Sequence, residues 1–242
     1  HGSGGEWRVE KQRLGWDILD AFAAAAQQAG VPATDDFNRG TNEGVGYFEV
    51  NQRSGWRWNT AKAFLRPTCM SRPNFTLWTN AQAQRLTIER GADGGLRCTG
   101  VEVVHDGNRV TVSAKSEVVL AAGSIGSPQL LQLSGIGPAD ELRQAGVTPL
   151  HDLQGVGRNL QDHLELYVQY ACRRPVTLMP AMRPHRMALI GLRWFSNHTG
   201  PGASSHLEAG AFIRSAAGIR HPDIQYHFLP ALIDDHGRSP AT

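Results

Sequence analysis

The stretch that most restricts what this chain can fold into is residues 117–135. Glu117-Val118-Val119-Leu120-Ala121-Ala122-Gly123 reads as a buried strand running into glycine. Ser127-Pro128 then opens a helix carrying Leu130, Leu131 and Leu133, which Gly135 ends. A strand that feeds a glycine turn and a helix start is the arrangement of open α/β sheets, whose ligands sit beyond the carboxyl ends of the strands. Gly123, Gly126 and the small Ser124 let the backbone approach a flat or phosphorylated group closely. They also aim free N–H groups and the positive end of a helix at negative charge. The plainer reading is a tight strand-to-helix turn with no ligand at all.

The flanking segments fill in a mixed α/β chain. Residues 6–13 read as a short strand, and Asp17 to Ala29 as a helix. Asp17 can cap that helix, Ile18, Leu19, Phe22, Ala23 and Ala26 share an apolar face, and Gly30 with Pro32 stops it. Residues 35–60, rich in Gly, Asn, Asp and Arg, read as a long loop. Phe75–Thr79 reads as a strand, and Val101–Val104 and Val110–Val112 as two more joined across Asp106-Gly107-Asn108 as a hairpin. Ala139–Ala145 and Met187–Phe195 read as helices, with Pro175–Pro184 irregular between them. Leu166–Tyr170 and Ile224–Phe228 alternate as strands do.

Composition removes several classes of function. The formal charge of +2 comes from interspersed charges, and the densest basic stretch, Arg183 to Arg193, is broken by Met, Ala, Leu and Ile. A nucleic-acid footprint needs a clustered stripe, so no nucleic-acid partner is expected. Cys69, Cys98 and Cys172 lie far apart with no C-x-x-C spacing. That argues against a disulfide framework and a structural zinc site, and no metal is expected. No apolar run approaches a membrane span.

Three ordered motifs carry a resemblance. Gly123-Ser124-Ile125-Gly126-Ser127-Pro128-Gln129-Leu130-Leu131-Gln132-Leu133-Ser134-Gly135-Ile136-Gly137 resembles a signature of the glucose–methanol–choline oxidoreductase family across all fifteen positions. Gly155-Val156-Gly157-Arg158-Asn159-Leu160-Gln161-Asp162-His163 follows at the family's spacing. Upstream, Gly55–Leu65 is similar to a third family segment, with Asn59 standing where Ser is commoner. The similarity covers essentially the whole chain. It implies FAD as cofactor, with Ala83, Ala122, Gly123, Ser124, Ser127 and Pro128 contributing to its binding.

The resemblance further implies part of a Rossmann-like FAD domain joined to part of an antiparallel-sheet substrate domain. The expected division is 1–65 as a substrate-side segment and loop, 66–163 as the centre of the FAD domain, and 164–242 as the start of the substrate domain. A G-x-G-x-x-G fingerprint is expected outside this stretch. The five G-x-G triplets here have Trp7, Glu49, Asp140, Leu160 and Ser205 at the third glycine position. The chain therefore reads as the central piece of a longer protein, with the family's catalytic base also expected elsewhere.

Three segments resemble choline-oxidising members of the family in particular: Asp162–Tyr170, Gly202–Arg214 and Pro222–Pro230. By that resemblance Glu208 faces a trimethylammonium group, His227 lies near the substrate oxygen as the catalytic candidate, and Tyr226 joins the substrate site. A quaternary ammonium has no N–H donor, so a desolvated carboxylate and aromatic faces are what can hold it. Trp194, Phe195, Phe212, Tyr226 and Phe228 are the aromatics near in sequence. The plain alternatives are core packing for the aromatics, a surface carboxylate or a salt bridge to Arg214 for Glu208, and an ordinary half-buried imidazole for His227. Asp162 and His163 read as bracing a turn.

The implied function is FAD-dependent oxidation of choline to betaine aldehyde by hydride transfer to flavin. Another primary alcohol as substrate, or a catalytically inert fragment, are the alternatives. The resemblance also implies a respiratory electron acceptor, and a bacterial protein that is cytoplasmic or peripherally associated with a membrane.

Overall fold

The computed structural model describes residues 2–231, so the end of the third expected segment, 232–242, lies outside the described residues. In chain order the elements are helix α1 (Asp17–Gln28), strands β1 (Gly44–Tyr47), β2 (Gln52–Arg53) and β3 (Trp56–Arg57), and a π-helical turn at Ala61–Cys69. Strands β4 (Ala81–Arg90), β5 (Leu96–His105) and β6 (Asn108–Ser113) follow, then helix α2 (Gly123–Leu133), β7 (Ile136–Gly137), α3 (Ala139–Gln144) and β8 (His151–Asp152). Helix α4 (Pro184–Asn197) and strands β9 (Ala209–Ile213) and β10 (Ile224–Phe228) complete the order. The fold is mixed α/β, as the sequence implies. Two compact units emerge: residues 1–75 with those from 167 onward, and residues 76–166.

In the first unit β9 is the central strand, with β1 and β10 antiparallel on either side. Helix α1 covers one face of that sheet. Leu19 is fully buried beneath it with Val45, Ala209 and Ala211, and Phe22 packs on Phe228 with ring centroids 4.8 Å apart. The helix begins from Trp16, whose carbonyl accepts from the Leu19 and Asp20 amides. Asp17 therefore does not cap it; Asp17 and Asp20 sit in the first turn and complement the helix dipole instead. The segment 35–60 is not one loop, since it contains β1 and the β2–β3 hairpin. Glycine hides β1 from a propensity reading, and the reason is steric: a Cβ on Gly46 would stand 2.2 Å from the Thr34 carbonyl oxygen.

Residues 6–13 form no strand, only the single bridge of Glu10 to Val50. Leu166–Tyr170 is likewise not a strand, with Leu166, Val168 and Tyr170 all exposed. Alternation alone makes no ladder when no partner strand lies alongside.

In the second unit β4, β5 and β6 form an antiparallel meander. The expected hairpin is present and longer than its β-branched runs, turning on Asp106 (φ 47) and Gly107 (φ 83). Two left-handed residues match the twist of the flanking strands. The expected strand at 75–79 lies further on, at Ala81–Arg90. Its outer edge is covered where Ser134 Oγ accepts from the Leu86 amide at 2.8 Å, docking the end of α2 onto β4.

Residues 117–122 pair with no strand among the described residues. Val118 and Leu120 face inward over Leu86, Ile88 and Leu131 around an apolar cavity of about 250 Å³, while Val119 is 79% exposed. The expected buried strand is therefore a half-buried strap. Helix α2 also begins earlier than expected, at Gly123, so Pro128 lies within its second turn. No helix among the described residues is long and apolar enough to cross a membrane.

Candidate active site

The residues singled out for cofactor binding all fall in the second unit. Gly123 adopts φ +84, a left-handed conformation natural to glycine, and no atom lies within 4 Å of where its Cβ would stand. Gly126 has the opposite constraint: its Cβ would meet the Ala122 Cβ at 3.2 Å, so the helix start closes tightly on the incoming strap. Ser127 Oγ accepts from the Ala122 amide at 3.0 Å and ties the turn from within. Gly123, Ser124 and Ile125 are exposed, and the first-turn amides have no acceptor inside the helix. This open cradle at a helix start fits a flat or phosphorylated group such as FAD. Ala83 lies on β4 opposite Val103, next to a register shift that leaves Gln84 unpaired. Such a bulge re-aims the backbone at a strand's end.

The residues singled out for substrate fall in the first unit, around β9 and β10. Strand pairing places His227 opposite Gly210 and Tyr226 opposite Ala211. Neighbours along a strand face opposite ways, so Tyr226 shares the α1 side of the sheet while His227 takes the other. Tyr226 and His227 are therefore not brought together. On the His227 face, Phe48 lies 5.9 Å from the imidazole and packs with Phe37 (4.9 Å) and Phe212 (6.2 Å), centroid to centroid. Of the aromatics named from sequence, Phe212 reaches this cluster. Phe228 packs on α1, Trp194 on Trp56 and His198, and Phe195 is exposed. Phe37 and Phe48 were missed because they sit in the glycine-rich stretch read as loop.

Glu208 lies one residue before β9 and is 1% exposed. Its carbonyl accepts from the Phe48 amide at 2.8 Å. Its Oε1 accepts from the His206 amide at 2.9 Å and from the Ser204 hydroxyl. Its Oε2 is buried with no hydrogen-bond partner. It is neither a surface carboxylate nor the partner of Arg214, whose guanidinium pairs with Glu43. Buried carboxylates ordinarily engage both oxygens, and here Oε2 is the one left unengaged.

The charge of Glu208 is felt nearby. The Tyr47 hydroxyl donates to Asp20 Oδ1 at 2.8 Å and accepts from the Trp16 amide at 3.4 Å. Its pKa is pushed from 10.0 up to about 12, first by burial, then by the bond to Asp20, and further by the charges of Asp20 and Glu208. The Trp16 bond pulls the other way. Because the raised value belongs to the folded state, the unfolded chain loses this proton first as pH rises. Stability tied to Tyr47 is full below its ordinary value of 10.0 and is lost on the way to about 12. Urea titrations at stepped pH should show that alkaline loss, and Tyr47→Phe should flatten it.

Two other named residues have plain roles. Asn59 Oδ1 accepts from the Lys62 amide at 3.0 Å at the start of the π-helical turn, which accounts for its place in the motif. Asp162 Oδ1 accepts from the His163 amide at 2.8 Å and braces the chain there. No cluster of metal-ligating side chains occurs among the described residues.

The sequence profile of the GMC oxidoreductase family matches residues 8–165. The chain belongs to that family. It is 46% identical over 239 residues to the mitochondrial choline dehydrogenase of Mus musculus, spanning 99% of this chain and 39% of that one. It is 42% identical over 240 residues to the oxygen-dependent choline dehydrogenase of Brucella ovis, of which it spans 42%. The chain thus spans well under half the length of the curated relatives it matches. Among solved structures, pyridoxine 4-oxidase from Mesorbium loti superposes with a TM-score of 0.72 at 31% identity, over 93% of this chain and 39% of that one. A formate oxidase superposes with a TM-score of 0.73 at 27% identity, over 88% and 37%. The GMC family is one of FAD enzymes, which agrees with the open cradle at Gly123.

Proposed function

We propose that this chain contributes the substrate pocket and part of the FAD site of a choline dehydrogenase, which oxidises choline to betaine aldehyde. The observation that carries the reading is the buried carboxylate of Glu208 with its bare Oε2, in a chain so similar to named choline dehydrogenases. A quaternary ammonium suits such an oxygen, because it offers charge without a hydrogen to donate and is itself cheap to desolvate beside aromatic rings.

Glu208 holds the ammonium group. His227 pairs with Gly210, two residues on from Glu208, so the imidazole and the carboxylate belong to the same face of the sheet. The His227 imidazole holds the substrate oxygen, and the Phe48 and Phe212 rings keep water from the carbon skeleton. Tyr226, on the α1 side of the sheet, shapes the pocket only from behind. FAD bound to this protein would supply the hydride acceptor for the alcohol carbon, with the hydroxyl proton passing to a general base. Ala122, Gly123, Ser124, Ser127 and Pro128 at the start of α2, with Ala83 on β4, would hold the FAD. A respiratory electron acceptor and peripheral association with a membrane would complete this reading.

Anaerobic addition of choline to the complete flavoprotein should bleach its visible flavin absorbance far faster than an equal concentration of 3,3-dimethylbutan-1-ol, the uncharged isostere. Equal rates with the two alcohols would assign the chain to a family member that oxidises a neutral primary alcohol.

A further inference from the structure

The two oxygens of Glu208 are treated unequally. Everything near Oε1 donates to it, and nothing donates to Oε2. The arrangement responsible is local. Pro201–Ala203 form a 3₁₀ turn that presents Ser204, and His206 follows in a left-handed conformation (φ 69). That conformation swings the His206 amide back toward both Ser204 Oγ (2.9 Å) and Glu208 Oε1 (2.9 Å). Ser204 Oγ also lies 3.3 Å from His206 Nδ1. Its one proton goes to Glu208, while its lone pairs take the His206 donor.

The turn is held from outside. Gln52 Nε2 donates to the Ala203 carbonyl at 2.8 Å, and the Gly200 amide to the Arg13 carbonyl at 3.1 Å. Trp194 packs so closely on Gly202 that a Cβ there would stand 2.8 Å from the Trp194 Cβ. A left-handed histidine is costly, and it persists because these contacts determine the loop around it.

We infer that Ser204 is a positioning residue for cation recognition: its hydroxyl, together with the His206 amide, saturates Oε1 of Glu208 and leaves Oε2 as the oxygen that meets the ammonium group. The inference rests on the reading of Glu208 given above. Without the hydroxyl, Oε1 keeps a single donor and the carboxylate can turn. The bare oxygen then no longer has a defined direction, and the cost falls on charged ligands alone.

The test compares Ser204→Ala, Ser204→Thr and Glu208→Gln in the complete flavin-loaded enzyme, using choline and 3,3-dimethylbutan-1-ol as substrates. Calorimetric titration with tetramethylammonium adds a readout independent of turnover. For Ser204→Ala the choline KM and the tetramethylammonium Kd should rise about tenfold, the isostere KM should stay within about twofold, and kcat should change less than KM. Ser204→Thr, which restores the hydroxyl, should return choline binding toward the wild type. It also serves as the informative variant should the alanine form fold poorly. If Glu208→Gln discriminates between the two alcohols while Ser204→Ala affects both alike or neither, the positioning role is wrong and the reading of Glu208 survives. If Glu208→Gln itself does not discriminate, the reading of Glu208 falls and this inference with it.

Discussion

Glu208→Gln is expected to raise the KM for choline about a hundredfold, with the KM for 3,3-dimethylbutan-1-ol changed only a few-fold. The magnitude follows from burial. A fully desolvated charge pair loses about 2–5 kcal/mol when one partner is removed, and a hundredfold corresponds to roughly 2.7 kcal/mol. Glutamine is the discriminating substitution because it keeps the shape. Its carbonyl oxygen can still accept from Ser204 and the His206 amide, the donors that Oε1 now serves. What changes is the bare position, where an N–H₂ replaces Oε2 and presents positive rather than negative partial charge to an ammonium group. Steady-state kinetics with the two alcohols separate this from general damage to the pocket. Equal losses for both would remove the ammonium role from Glu208.

Gly210→Val should lower the unfolding free energy by about 3 kcal/mol and displace Phe48 from His227. Gly210 is the second residue of the central strand, and a Cβ there would stand 2.1 Å from the Tyr226 carbonyl oxygen and 2.5 Å from the Phe48 ring. Phe48 can rotate, but the carbonyl belongs to the backbone of β10 and cannot move without breaking the β9–β10 ladder. Either adjustment separates Phe48 from His227. A urea transition should therefore move to lower denaturant, with a parallel loss of choline turnover. Gly191→Ala makes the contrast: it lies within α4, where nothing stands within 4 Å of the added carbon. There the gain in helix propensity should keep stability level or raise it by about 0.5–1 kcal/mol. If Gly210→Val unfolds at the same denaturant concentration as the parent, the close packing of Phe48 over β9 is not what holds this sheet.

Sequence alone determined those features that are local. The 3.6-residue apolar spacing from Ile18 to Ala26 placed α1, and β-branched runs around Asp106-Gly107 placed the β5–β6 hairpin. Gly135 marked where α2 stops. Each rests on interactions within a few residues, so composition and period suffice to read them. The motifs around Gly123 and Gly155 placed the chain in its family for a similar reason: they are runs of neighbours whose backbone geometry needs small residues at set positions.

What only the tertiary structure decided is pairing and burial. Residues 117–122 have a strand's composition and no strand beside them among the described residues, whereas Gly44–Tyr47 have a loop's composition and a full partner in β9. A ladder is a property of two segments, so neither outcome is written in one. Glu208 shows the same division most clearly. Resemblance singled the residue out, but its carboxylate is made by Ser204 and the backbone of His206 together with the packing of β1 against β9. Burial keeps Oε2 from bulk solvent, and the neighbouring donors all serve Oε1. Those are facts of three-dimensional crowding, which no spacing of letters along the chain contains.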